Sequence, residues 1–278
     1  MFKGRELLIA TRHGKEQVIR PILENSLGVH SIVSSDFDTD LFGTFTGEVS
    51  RADSPVDTLR KKCLYGMEQT GADLAVASEG SFGPHPHLYM LTADEEWIIL
   101  IDKKNDLEII AREISTDTNF NGQYVDSFTS LLSFAESASF PSHGLILRDQ
   151  KEGVKEIVKG ICDTAVLSYH FERMHRLYQK VYVETDMRAM HNPTRMQVIE
   201  KVTYKLVEKI HRCCPACGIP GFDIGEVIRG LPCSNCTSPT RSVKTLVYTC
   251  KKCAHQEFVH HPDDKEREDP MYCDYCNP

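Results

Sequence analysis

Gly71-Ala-Asp-Leu-Ala-Val-Ala-Ser-Glu-Gly-Ser-Phe-Gly-Pro-His-Pro-His87 starts as an apolar run and stops on one glutamate set among serines and glycines. Leu74 to Ala77, bounded by turn-forming residues, predicts a short strand buried on both faces. Trp97-Ile-Ile-Leu-Ile-Asp102 repeats the pattern, an apolar strand closed by an acid. Upstream, Glu6 to Ala10 reads as a first strand, Thr11-Arg-His-Gly-Lys15 as a loop, and Glu16 to Leu27 as a helix with Val18, Ile19, Ile22 and Leu23 on one face. Asp53-Ser-Pro-Val-Asp57 supplies capping residues and a proline for a second helix, which runs to about Thr70 and stops at Gly71. Strands alternating with helices in this way predict an α/β sheet.

In such sheets functional groups collect at the carboxyl ends of strands. Thr11 to Lys15, Glu79 and Asp102 each follow an apolar strand, so the reading places a lysine, a hydroxyl and two carboxylates on one rim. That set suits a divalent ion and a phosphate, with glycines such as Gly80 letting backbone amides approach. Each residue also has a plainer reading, since glycine after a strand makes a turn and a terminal acid is often a solvated cap. His85 and His87 fit a proline-rich surface loop, and Asp36, Asp38 and Asp40 a solvated face, better than they fit metal clusters.

The chain has 278 residues, 41% hydrophobic and 26% charged, enough for about two globular domains. No apolar stretch approaches the roughly 18 residues of a membrane span, and the N-terminal apolar run is too short for a signal peptide. A formal charge of −8 disfavours non-specific nucleic-acid binding. Eight of the 11 cysteines form four Cys-x-x-Cys pairs: Cys214/Cys217, Cys233/Cys236, Cys250/Cys253 and Cys273/Cys276. That is metal spacing in a reducing compartment, so the expected location is cytoplasmic. Two such knuckles complete one tetrahedral thiolate site, and four predict two structural zinc sites with no open position for catalysis. Redox dithiols are the alternative. Val243 to Tyr248 and Gln256 to His260 read as strands flanking a knuckle, and pairing is expected to be sequential, first with second and third with fourth. Cys213, His255, His260 and His261 are spare ligands. Lys and Arg of the tail do not outnumber its Asp and Glu, which favours a structural or protein-contacting ribbon over one that reads DNA.

Between these ends, Ser127 to Ser139 is predicted helical, Gly144 to Arg148 and Val181 to Asp186 are strands, and Asn192 caps a helix from Pro193 to about Arg212. Glu184, Asp186, Arg188, His191 and Arg195 crowd one strand-to-helix junction, which serves equally as a salt-bridged hinge or a ligand site, with His143 and Arg148 near. The expected division is an α/β domain over 1–195, a connecting helix over 196–212 and a double zinc ribbon over 213–278.

Ala10-Thr-Arg-His-Gly-Lys15, Asp57-Thr-Leu-Arg-Lys-Lys-Cys63, Ala72 to Gly80 and Trp97 to Asp102 resemble, in order, the landmarks of the inosine and xanthosine triphosphate pyrophosphatases. The resemblance covers about the first 100 residues. It implies a twisted mixed sheet flanked by helices, a Mg²⁺ served by Asp57 and Glu79, and a phosphate on Lys15; Thr11, Arg12, His13 and Gly80, and from the strand-to-helix junction Arg188 and Arg195, are the further candidate phosphate contacts. His13 stands where that superfamily has asparagine, and the opening loop is one residue short. Phe37 to Asp40, Gly43 to Gly47, Ser78 to His85, Thr118-Asn-Phe120, Phe140 to His143, Glu184 to Ala189, Asn192 to Arg195 and Asp269 to Cys276 carry a second, nearly full-length resemblance. It is to a bacterial family built on a domain of unknown function with a cysteine-rich tail, and it brings no activity. The expected function is metal-dependent release of pyrophosphate from nucleoside triphosphates. The alternative is a non-catalytic adaptor that contacts protein or nucleic acid through its zinc tail.

Overall fold

A computed structural model of the chain describes residues 1–33 and 54–278. Asp36, Asp38, Asp40, Asp53 and the stretch from Gly43 to Gly47 lie outside the described residues. The chain divides into two compact units, Met1–Leu206 and Val207–Pro278.

The first unit opens with a five-stranded mixed sheet of β1 (Glu6–Ile9), β2 (His30–Ile32), β3 (Leu74–Pro84), β4 (Thr92–Asp102) and β5 (Leu107–Ser115), in the order β2-β1-β3-β4-β5. β1 runs parallel to β2 and β3, while β3, β4 and β5 form an antiparallel meander. Helix α1 (Glu16–Leu27) buries Ile19, Ile22 and Leu23, the face its spacing predicted. Helix α2 (Pro55–Thr70) starts where the Ser54 hydroxyl accepts from the Asp57 N–H at 3.2 Å, and ends on Gly71, whose φ of 76° a Cβ would strain. Its Leu59, Cys63 and Met67 pack on Leu8, Ala10, Ala75, Ala77 and Ile99. Burial of Leu59 and Met67 contributes about 1.5–3 kcal/mol each, and these contacts fix α2 to the sheet.

β3 does not stop at Ala77, and β4 starts at Thr92 rather than Trp97. The hairpin pairs continuously from Leu74 with Asp102 to Pro84 with Thr92. Backbone pairing continues past the apolar residues because the ladder needs only N–H and C=O groups, so apolarity marked the buried half of each strand alone. Glu79 therefore lies in mid-strand. Asp102 lies at the opposite end of the hairpin from its turn, where Arg5 holds it at 2.6 Å. The rim expected to join Glu79 with Asp102 does not form, because antiparallel neighbours end at opposite edges.

A second sheet, also in the first unit, contains β6 (Gly122–Val125), β7 (Leu145–Arg148), β8 (Ile157–Ile161) and β9 (Val181–Thr185), ordered β6-β9-β7-β8 and antiparallel throughout. Helices α3 (Phe128–Ser137) and α4 (Thr164–Tyr178) close its core through Leu131, Phe134, Leu167, Phe171 and Met174. Asp163 caps α4 by accepting from the Ala165 and Val166 N–H groups. Helix α5 (Pro193–His211) begins as its sequence predicted, with the Asn192 side chain accepting from the Arg195 N–H at 2.9 Å. Among the described residues no helix is long and apolar enough to cross a membrane.

The second unit is a three-stranded antiparallel sheet of β10 (Asp223–Arg229), β11 (Val243–Thr249) and β12 (Gln256–His260), in chain order.

Candidate functional site

Two cysteine tetrads gather in the second unit, one from Cys214, Cys217, Cys250 and Cys253 and one from Cys233, Cys236, Cys273 and Cys276. Within each, all four sulfurs lie within 4.8 Å of one another. The measured pairs are 3.7 Å for Cys214 with Cys253 and for Cys217 with Cys250, 3.9 Å for Cys233 with Cys276 and 3.6 Å for Cys236 with Cys273. A tetrahedron with metal–sulfur bonds of ~2.3 Å has edges of about 3.8 Å, so the tetrads fit a thiolate-bound metal, and the distances are far beyond the ~2.05 Å of a disulfide.

This corrects the sequential pairing, since first joins third and second joins fourth. The reason is strand direction. Asp223 at the start of β10 pairs with Thr249 at the end of β11, which brings the knuckle before β10 beside the knuckle after β11. The knuckles after β10 and after β12 meet at the other end, where Cys233 also bridges to Glu268. Spare ligands are not drawn in, and His260 Nδ1 lies 3.0 Å from the Thr245 hydroxyl instead.

The first unit holds a buried group of charges along the β3–β4 hairpin. Glu96 pairs with Gly80 and Asp94 with Phe82, so these four side-chain positions share one face of the ladder, and Glu79, paired with Trp97, is on the other. On the first face Glu96 receives Arg195 Nε at 2.6 Å, with both side chains fully buried, and the guanidinium lies 5.1 Å from the centre of the Phe82 ring. Arg195 also donates to the Met187 carbonyl. On the second face Lys62 of α2 pairs with Glu79. Lys15 comes from a third direction. β1 leaves the sheet after Ala10, whose N–H reaches the Val76 carbonyl, and Lys15 Nζ then donates to the next outward carbonyl of β3, Ser78, at 3.3 Å, while standing 3.6 Å from Glu96. Gly80 makes room for the ion pair, because a Cβ there would overlap Glu96 Oε1 and lie 2.6 Å from Arg195 Nη2.

The structure thus brings together Lys15, Glu79, Gly80 and Arg195 of the residues singled out in the sequence, and adds Lys62, Asp94 and Glu96. The missed three had weak signals: Lys62 follows two other basic residues on α2, and Asp94 and Glu96 sit in an acidic run that reads as a surface. Asp57 is placed differently. It lies exposed in the first turn of α2, bonded to Ser54 at 2.7 Å and Arg60 at 2.9 Å. Thr11, Arg12 and His13 belong to the loop that leads to Lys15, and the Thr11 hydroxyl donates to the Arg12 carbonyl at 3.4 Å. Arg188 forks onto Asp186 through Nε at 3.0 Å and Nη2 at 2.6 Å, and Arg148 pairs with Glu184, so much of the junction is held by internal ion pairs. His143 bridges Ser142 and Thr194.

Burial acts on this hairpin's charges. It pulls the Lys15 ammonium down to about 8 against the attraction of Glu96, and it pushes the Asp94 carboxyl up to about 8, helped by the neighbouring Glu96 charge and opposed by Arg195 and Lys15. Asp94 is 1% exposed, and neither of its oxygens has a hydrogen-bond partner among the described residues. The folded state therefore holds a proton on Asp94 between the ordinary carboxylate range near 4 and about 8 that the unfolded chain has released. Stability from this group is present at low pH and falls as pH rises through that window. The amide of Asp94→Asn removes the titration, so its melting temperature relative to the unsubstituted chain should climb between pH 5 and pH 8 by several degrees, at about 2–4 °C per kcal/mol. Thermal melts at both pH values check this, and a pH-independent difference would refute it.

The model of a domain of unknown function, DUF6671, matches residues 62–278. No curated protein matches the chain. Among solved structures, the crystal structure of protein VC0702 from Vibrio cholerae is similar at 11% identity, over 74% of this chain and 94% of that one, with a TM-score of 0.31, a likeness that carries no argument about the site. These comparisons do not support the resemblance to nucleoside triphosphate pyrophosphatases. They do support the second resemblance as far as a domain of unknown function with a cysteine-rich tail over residues 62–278, and the matched span takes in both cysteine tetrads together with Lys62, Glu79, Asp94, Glu96 and Arg195: this chain belongs to the DUF6671 family.

Proposed function

We propose that the first unit binds and hydrolyses nucleoside triphosphates at the β3–β4 hairpin, and that the second unit is a double zinc ribbon whose two four-cysteine sites serve its folding. One observation supports the hydrolytic reading above the rest: Lys15, Lys62 and Arg195, from three separate elements, are all buried against one strand pair with acids between them. Buried cations of this kind stabilise charge that develops on transferred phosphoryl oxygens, where positioning and electrostatics supply most of the rate. Thr11, Arg12 and His13 extend the phosphate contacts along the loop that carries Lys15. Glu79 is the carboxylate that takes the proton of the attacking water, and Lys62 orients it.

A protein-held Mg²⁺ between Glu79 and Asp57 does not fit the described residues, because Lys62 engages Glu79 while Asp57 is spent on Ser54 and Arg60. Magnesium enters only as the counter-ion of the nucleotide. With Mg-nucleotides, including inosine and xanthosine triphosphates, the expected result is pyrophosphate release that falls on the order of 10²-fold or more in Glu79→Gln. Absence of turnover on every nucleotide, together with absence of a nucleotide-induced rise in melting temperature, would refute the reading.

A further inference from the structure

Cys162 follows β8 and immediately precedes Asp163, the residue that caps α4. It is exposed, and its Sγ lies 3.6 Å from His191 Nδ1. His191 is fixed through its backbone on one side and closely flanked at its ring on the other. The Gly144 N–H donates to the His191 carbonyl at 2.8 Å, and the β8 backbone at Gly160 approaches so closely that a Cβ there would lie 2.9 Å from Nε2. Gly160 has φ of 73°, a conformation that favours glycine and keeps that approach open. Asp186, buried behind the pair, accepts from the Gly160 N–H at 3.0 Å and from Arg188.

The arrangement narrows the chemistry by elimination. A disulfide cycle needs a resolving thiol, but the other cysteine of this unit, Cys63, is fully buried in the α2 core. A metal needs further ligands, and among the described residues the only clusters of three or more metal-ligating groups are the two tetrads. What remains is a thiol within proton-transfer reach of an imidazole, at the start of a 15-residue helix whose N-terminal end favours negative charge. Partial burial and the Asp186 charge raise the thiol, while burial lowers the imidazole, so both are neutral at rest and His191 can act as a base.

We propose that Cys162 and His191 form a nucleophilic site that accepts acyl groups from activated esters or thioesters. In the Nε2–H tautomer, His191 Nδ1 takes the thiol proton as Sγ attacks the carbonyl carbon. The tetrahedral adduct collapses, the carbonyl carbon's bond to the alcohol oxygen or thiol sulfur breaks, and the imidazolium returns its proton to the leaving group. S-acyl Cys162 remains. Water then attacks the thioester with His191 taking its proton, the carboxylic acid departs, and the thiol is restored. This site is separate from the β3–β4 charges and does not depend on the nucleotide reading.

The test uses the full, metal-loaded chain with p-nitrophenyl acetate at pH 7. One equivalent of nitrophenolate should appear in a burst, with the acetyl group found on the Cys162 peptide by mass spectrometry, at least tenfold faster than N-acetylcysteine reacts. Cys162→Ser should abolish the burst, and His191→Asn should slow it on the order of 10²-fold, at the low end of general-base effects, with an unchanged melting temperature. Acylation no faster than that of N-acetylcysteine overturns the proposal without reference to any variant. So does an equal rate in folded His191→Asn, which would mark Cys162 as merely exposed.

Discussion

The Cys217→Ser/Cys250→Ser double variant is expected to keep one bound metal per chain, and the Cys217→Ser/Cys236→Ser variant none. Both remove two thiolates, so any difference comes from how the knuckles pair. The interleaved arrangement places Cys217 and Cys250 3.7 Å apart in one tetrad, whereas Cys217 and Cys236 belong to different tetrads. Structural zinc contributes an apparent ~10–16 kcal/mol near neutral pH, as much as or more than the ~5–15 kcal/mol by which a whole domain is stable. Loss of both ions should therefore unfold the second unit, leaving the first folded, while loss of one should disorder mainly the end of the sheet that carried it. Metal content by elemental mass spectrometry and amide dispersion by NMR measure the two effects. One metal in Cys217→Ser/Cys236→Ser and none in Cys217→Ser/Cys250→Ser would restore the sequential pairing.

Arg195→Ala should lower the melting temperature of the first unit by roughly 6–20 °C. Breaking a buried ion pair from one side costs about 3–5 kcal/mol, and a unit of this size loses about 2–4 °C for each. The cost arises because Glu96 is left fully buried without its guanidinium partner, with Lys15 at 3.6 Å as its remaining close cation among the described contacts. The guanidinium's contact with the Phe82 ring and its bond to the Met187 carbonyl are lost as well. Removing both charges with similar volume, as in Glu96→Leu/Arg195→Met, should recover much of the loss, since buried pairs often exchange for apolar side chains at little net cost. A double variant no more stable than Arg195→Ala would show that packing rather than charge dominates there. On the proposed nucleotide reading, that double variant regains most of its melting temperature yet loses its turnover, which separates the two roles of the pair.

Elements with their own periodicity were legible before any coordinates. The helices from Glu16, Pro55, Phe128 and Pro193 lie where apolar spacing, capping side chains and Gly71 place them. The strands over β11 and β12 were legible too, as were all eight cysteines of the two tetrads that could hold a metal, since a two-residue gap is a local geometric fact. Helix α4 lies outside the expectations drawn from the sequence, although Asp163 and the spacing of Leu167, Phe171 and Met174 mark it.

What the chain could not disclose by local pattern is which distant groups share a place. Knuckle spacing is nearly even along the tail, so only the antiparallel direction of β10 and β11 decides that Cys214 and Cys217 face Cys250 and Cys253. Polar residues of β3 and β4 look like loop because solvent-facing and partner-facing charges have the same letters. Pairing decides that Glu79 meets Lys62 and Glu96 meets Arg195, 99 residues away. Local sequence sets backbone propensity and ligand type over a few residues, whereas long-range contacts are chosen by burial, strand direction and the cost of leaving a charge inside without an opposite one.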